Sequence, residues 1–148
     1  MEPRQVRTAA DARALVESRG LPHVKVGVFD IDGIMRGKYI SRDKFLSSLD
    51  SGFGFCDVVL GWDCQDQMYD NVKYTGWHTG YPDAKAVVDV STARVIPWEP
   101  DTAAFVLDFV NEDGSPYAPS PRQLLRRVGE RARAMGFLPR VGSEFEYF

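Results

Sequence analysis

Two carboxylates in the stretch VGSEFEYF (141–148), Glu144 and Glu146, stand two residues apart among apolar and aromatic neighbours. Side chains alternate along a strand, so on a strand both acids would project from one side, about 6–7 Å apart, with Gly142 and Phe148 beside them. Like charges that near each other repel, and a hard divalent cation held by oxygens is the usual relief. The competing reading is a polar face open to water, where paired acids cost little. A second acid-bearing stretch, Gly61-Trp62-Asp63-Cys64-Gln65-Asp66, lies inside residues 53–83, which are rich in Gly, Asp and aromatics and have weak periodicity beyond Asp57–Gly61. They read as a long loop, and loops of that length inside a compact domain usually serve a function.

The elements that would position these residues follow from pattern. Thr8 with Asp11 three residues on marks the start of a short amphipathic helix that Gly20 and Pro22 end. Val24–Asp30 and Ile34–Ile40 are strand-like, and Asp32-Gly33 between them predicts a β-hairpin, from which Arg36 and Lys38 are expected to face outward. Ser41 caps a helix with Phe45, Leu46 and Leu49 on its apolar side and Gly52 past its end. A hairpin followed by a crossing helix opens a β-grasp pattern. Beyond the loop come three strand-like runs, Ala84–Asp89, Ala93–Trp98 and Ala103–Val110, then a turn at 111–116. Ser120-Pro121 begins a helix over Pro121–Met135 that Gly136 stops, and Leu138–Phe148 reads as a final strand.

Composition sets bounds on function. At 148 residues with 44% hydrophobic and 26% charged residues, the chain is one ordinary domain, or a small domain with a piece of another. A net charge of −3 gives no basic field for nucleic acid or an anionic membrane surface. The arginines at 122, 126, 127, 131 and 133 are expected to form a solvated helix face. Cys56 and Cys64 are too few for a disulfide framework and lack metal-knuckle spacing, so free thiols in a reducing cytoplasm are expected. No apolar run approaches the length of a membrane span, and residues 1–20 carry no signal-peptide segment.

The series of hairpin, helix, Asp-bearing loop, further strands, Ser-Pro-started helix and Gly-x-Glu-x-Glu strand resembles the N-terminal part of the glutamine synthetase family over residues 23–148. Gly142-Ser143-Glu144-Phe145-Glu146-Tyr147-Phe148 is similar to that family's Gly-Pro-Glu-x-Glu-Phe-Phe strand. The stretch from Pro82-Asp83 to Ile96-Pro97-Trp98 adds to the likeness, and Asp30–Lys38, DIDGIMRGK, looks like the early hairpin of the γ-glutamyl-amine ligase branch. The resemblance implies an α+β chain: a lead-in helix (1–22), a β-grasp, ubiquitin-like domain (23–112), and a linker with the first helix and strand of a truncated catalytic domain (113–148). It also implies ATP as co-substrate, Mg²⁺ or Mn²⁺, and transfer of the γ-phosphoryl group to the side-chain carboxylate of glutamate before an amine displaces phosphate.

On that likeness Glu144 and Glu146 would be metal ligands, Glu144 near the nucleotide phosphates and Glu146 near the glutamate carboxylate. Asp63, with Asp66 second, takes the place of the Asp in the family's Phe-Asp-Gly-Ser-Ser loop, which binds the amine and removes its proton in a neighbouring subunit's site. Asp83 is expected to assist there. The competing reading of these Asp residues is that they cap turns in a polar loop. Because this loop departs from the family pattern, and Trp62, Tyr69, Tyr74 and Trp77 could wall an alkyl tail, an alkylamine is favoured over ammonia. Trp77 and His78 are otherwise expected to pack the loop onto the sheet. A cytoplasmic homo-oligomer, a double ring with active sites between subunits, is implied, and the 148-residue chain by itself is expected to be inactive. A free-standing β-grasp interaction module is the alternative from another class.

Overall fold

Asp32-Gly33 turns the chain as its chemistry predicts: Gly33 adopts φ 79°, a left-handed conformation that suits glycine, and β1 (His23–Phe29) pairs antiparallel with β2 (Met35–Ser41). The structure is a computed structural model that describes residues 1–147. Ahead of the hairpin, α1 (Ala9–Ser18) starts on a capping box in which Thr8 and Asp11 satisfy each other's backbone N–H groups. After it, Ser41 caps α2 (Arg42–Ser51), and Gly52 closes that helix at φ 68°.

The chain then forms a short strand, β3 (Phe53–Cys56), and a single 3₁₀ turn at Asp57–Leu60 before the irregular segment that ends at β4 (Asp83–Ile96). The expected loop therefore begins later than its composition suggests, because β3 is held by pairing with Ala84–Ala86 from far along the chain. The runs Ala84–Asp89 and Ala93–Trp98 are not separate strands. A bulge between Asp89 and Arg94 joins them into β4, with the Thr92 hydroxyl accepting the Val106 N–H at 2.8 Å across the irregularity. β5 (Glu99–Val110) returns antiparallel to β4 and runs parallel to β1, giving the sheet order β2-β1-β5-β4-β3. This central parallel pair flanked by hairpins is the β-grasp arrangement in an α+β chain.

Alternation decides what each face buries. Val24 and Val26 of β1 align with Ala103 and Phe105 of β5, and with Val28 and Leu107 they meet α1 and α2 through Leu15, Val16 and Phe45 in one core. Phe45 lies 4.7 Å from Phe105 between ring centroids. Val6, ahead of α1, is fully buried in the same core.

α3 (Pro121–Ala134) attaches differently. Ser120 caps it, as expected, and accepts the Gln123 N–H, yet Gln123 is the helix's one fully buried residue. The helix is tied by charge: Arg122 bonds Asp89 and Asp108, Arg126 adds a looser contact to the same pair, and the Ser120 hydroxyl donates to Asp108 at 2.9 Å. The arginine face expected to be solvated is thus partly an anchor. Leu124, Leu125 and Val128 remain exposed.

The strand expected at Leu138–Phe148 is not formed over 138–147, and Phe148 lies outside the described residues. A strand is held by a neighbour's N–H and C=O groups, and this segment lies against no sheet edge: Val141, Phe145 and Tyr147 are all more than four-fifths exposed.

Candidate functional site

Asp63 sits in a tight loop clasped to the hairpin. Trp62 bridges Met68, the Tyr69 N–H donates to the Gly61 carbonyl at 2.9 Å, and Asp63 and Gln67 pair through the Asp63 N–H. Inside this closure the Asp63 carboxylate accepts the Gln65 and Gln67 N–H groups on Oδ1, at 2.8 and 2.9 Å. That is the turn-capping behaviour for which Asp is favoured. Its Oδ2 accepts no hydrogen bond and pairs with no cation among the described residues. Half-buried Asp63 therefore holds the loop with one oxygen and leaves the other available.

Arg36 holds the loop from below. The register sets Arg36 opposite Val28 and Lys38 opposite Val26, so both spring from the core-facing side of the hairpin; Arg36 is half-buried, against the outward placement expected from sequence, while Lys38 is exposed as expected. Lys38 lies 4.8 Å over the Phe55 ring. The Arg36 guanidinium donates from Nε to Asp30 Oδ2 at 2.7 Å, from Nη1 to Asp66 Oδ1 at 2.6 Å and from Nη2 to the Asp63 carbonyl at 3.2 Å. It also stacks 5.1 Å from the Trp62 ring centre. Asp30 is fully buried, and its Oδ1 accepts the Asp32 and Ile34 N–H groups of the hairpin turn. The Asp30 hydrogen bond, with the Asp66 pair, raises the Arg36 guanidinium further into its charged range.

Tyr69 stands at the edge of this loop, near its acids. Partial burial, then the charges of Asp32 and Asp63, raise the Tyr69 hydroxyl above the usual phenol range. A cation's charged head would be favoured where that hydroxyl stands. Further along, the Thr75 hydroxyl donates to the buried Asp57 carboxylate at 2.6 Å and pins the far side of the segment. Burial, then Asp57, pushes the Tyr117 hydroxyl up to about 12.

The other predicted residues stand apart. Asp83 opens β4 at the β3–β4 edge, exposed, with its carboxylate over Gly54. Glu144 and Glu146 are exposed on the unpaired segment. No group of three or more His, Cys, Asp or Glu that could hold a metal occurs among the described residues. Two exposed carboxylates do not supply the six oxygens that Mg²⁺ requires, so the donors present do not fit a metal by themselves. Trp77 packs onto no sheet: it is 80% exposed, edge-on to Tyr81 at 5.4 Å. Trp62 is half-buried against the core, and its Nε1–H has no acceptor among the described residues. Cys56 and Cys64 are free thiols. No helix among the described residues is long and apolar enough to cross a membrane.

Sequence reasoning missed Arg36 and Asp30 as site residues. The signal was present in DIDGIMRGK, where an acid at the end of one strand and an Arg at the start of the next flank a turn.

No family model matches the chain. It is 50% identical over 127 residues to type-1 glutamine synthetase 2 of Dictyostelium discoideum, covering 86% of this chain and 24% of that protein. It is 36% identical over 138 residues to a glutamate–isopropylamine ligase of a Pseudomonas species, covering 92% and 30%. Among solved structures, apo GmaS superposes with a TM-score of 0.66 at 21% identity over 85% of this chain and 27% of that one. Plasmodium falciparum glutamine synthetase gives 0.65 at 17% over 88% and 23%, and these two likenesses speak to fold alone. The chain spans between a quarter and a third of the length of the curated relatives it matches. With 50% identity over 86% of its length to one glutamine synthetase and a fold shared with others, the chain belongs to the glutamine synthetase family.

Proposed function

We propose that this chain is the N-terminal part of an ATP-dependent ligase that joins the side-chain carboxylate of glutamate to an amine. The observation that carries the reading is Asp63, anchored through Oδ1 by two loop amides and open at Oδ2. The names of two relatives, the glutamate–isopropylamine ligase and a γ-glutamylethanolamide synthetase of Streptomyces coelicolor that is 34% identical over 138 residues, support an alkylamine as the acceptor.

A carboxylate resists attack by amines because its oxygen is a poor leaving group. ATP removes that obstacle by converting the glutamate carboxylate to an acyl phosphate. The amine nitrogen then forms the C–N bond as the C–O bond to phosphate breaks, and Asp63 Oδ2 takes the proton that the nitrogen gives up. Asp63 also attracts the protonated amine beforehand, while the two acids nearest it on the clamp are engaged, Asp66 by Arg36 and Asp30 by Arg36 and the hairpin turn. Asp83 is proposed to assist at the same site from the sheet edge.

Glu144 and Glu146 are proposed as two oxygen donors toward Mg²⁺ or Mn²⁺. This chain's donors alone do not complete that shell. The proposal extends to a homo-oligomer, a double ring with active sites shared between subunits, in the cytoplasm. Residues 1–22 form the lead-in, 23–112 the β-grasp domain, and 113–148 the passage to a catalytic domain.

The test is kcat/KM of the ligase that contains this chain for ammonia, methylamine, ethanolamine and putrescine. An alkylamine is expected to win, and ammonia winning by a wide margin overturns the acceptor class. Asp63→Asn is expected to raise the amine KM and lower kcat with ATP and glutamate little changed. Unchanged amine kinetics would refute the role of Asp63.

A further inference from the structure

We propose that Arg36 is the positioning residue of the amine site: one guanidinium locks the Asp63 loop onto the hairpin turn and holds Asp63 with its Oδ2 open to meet a cationic amine. The inference rests on the function proposed for Asp63. Three donor groups of Arg36 reach three acceptors on two segments roughly thirty residues apart, Asp30 on the hairpin and both Asp66 Oδ1 and the Asp63 carbonyl on the loop. A planar fork with fixed donor directions can do this, and an ammonium on a flexible stem cannot. The third acceptor is the backbone carbonyl of Asp63 itself, so the clamp acts two bonds from the Cα that aims the carboxylate. The Trp62 ring under the guanidinium fixes the preceding residue as well.

The same arrangement sorts the loop's charges. Asp66 stands at φ 62°, a left-handed conformation that Asp tolerates, and from there its carboxylate turns to Arg36. Were Arg36 absent, Asp30 would be a buried anion without a cation, and Asp66 would compete with Asp63 for any ammonium group. Arg36 thus withdraws Asp66 from that competition and fixes where Asp63 stands. Its own exposure is low, 19% for the side chain, with Asp30 fully buried beneath it.

Two arms test this. In the 148-residue chain, amide hydrogen exchange is followed at Gln65 and Gln67, whose N–H groups bind Asp63 Oδ1, with β1 and β5 amides as internal controls. Arg36→Lys keeps a cation beside Asp30 and the fold, yet cannot reach all three acceptors. It is expected to speed exchange at Gln65 and Gln67 by about tenfold while the strands stay protected, and Arg36→Met is expected to do so further. Unchanged protection of both amides in Arg36→Lys overturns the proposal. In the ligase that contains this chain, Arg36→Lys is expected to raise the amine KM by about tenfold and leave the KM values for ATP and glutamate within about twofold. A parallel rise in all three marks a merely structural residue and overturns it too. If wild-type enzyme ligates no amine, the function proposed for Asp63 fails, and the exchange arm still decides the clamp.

Discussion

The loop around Asp63 and the segment around Glu144 both carry acids in aromatic surroundings, and the fold treats them in opposite ways. Asp63 is held by two amides through one oxygen, by Arg36 through its carbonyl, and by the Trp62–Met68 bridge around it. Glu144 and Glu146 are fully open, on a segment with no sheet neighbour. The first site is built by this chain: its geometry follows from a hairpin, a turn and one arginine. The second is only supplied by it, because two carboxylates on an unpaired backbone have no fixed separation and no common direction. A shared sequence feature, acid beside aromatic, thus says little until something fixes the backbone beneath it.

The sharpest way to break the contrast is to remove the foundation of the built site. Asp30→Ala leaves Arg36 half-buried without its main partner and strips the hairpin turn of the oxygen that accepts the Asp32 and Ile34 amides. The expected loss is about 3–5 kcal/mol in urea unfolding of the chain. Asp30→Asn keeps the amide acceptor and should lose less. A loss below about 1 kcal/mol for Ala would show that the pair is not a foundation.

The next test falls on the supplied site. In the ligase proposed to contain this chain, Glu146→Ala is expected to lower ligation by ~10²-fold or more, as loss of a first-rank electrostatic group does. Near-wild-type turnover at saturating Mg²⁺ would refute its proposed role as a metal ligand.

A smaller effect separates the sheet from α3. Burial raises the Asp89 carboxyl, but the Ser91 hydroxyl and Arg122 more than offset it, and the net shift is downward. A depressed folded value means stability present above the ordinary Asp range near 3.9 and lost as pH falls through the folded value. Acidification below about pH 4 is therefore expected to release α3 while the α1 and α2 core, which rests on Leu15, Val16 and Phe45, persists. Amide exchange along α3 against β1 checks this, and simultaneous loss of both would mean the helix is no separate unit.

How much of this was legible in sequence depends on the distance over which each feature is decided. The Thr8–Asp11 box, the Asp32-Gly33 turn and the Ser41 and Ser120 caps are settled within four residues, and each appears where its chemistry predicts. β3 was read as loop because Phe-Gly-Phe-Cys lacks alternation, and only Ala84–Ala86 makes it a strand. Ser91-Thr92 reads as a break, yet Asp89 and Thr92 satisfy the backbone there and β4 continues through a bulge. Arg36 was hidden for the same reason: alternation names its side of the hairpin only once the register is known, and nothing local shows that residues 61–69 fold over that side. Asp63 was found by family likeness, and its split oxygens come only from the closed loop. The 138–147 stretch has a strand's pattern without a partner, which is pattern without the hydrogen bonds that make it structure.

The smallest expected effect is the most direct test of that last point. Glu144 and Glu146 are exposed and make no hydrogen bond or ion pair among the described residues, so replacing both with Ala removes none of these. Surface changes of that kind stay within about 0.5 kcal/mol. Relief of repulsion between the two acids would add little, since water and salt screen exposed charges and the segment has no fixed geometry to keep them close. The double variant of the 148-residue chain is therefore expected to unfold in urea with the same midpoint and slope as the parent, while Asp63→Ala, which removes the acceptor of two loop amides, is expected to cost about 1 kcal/mol. A shift of 1 kcal/mol or more for the glutamate pair would mean that the segment docks on the domain, and the division between a built and a supplied site would fall.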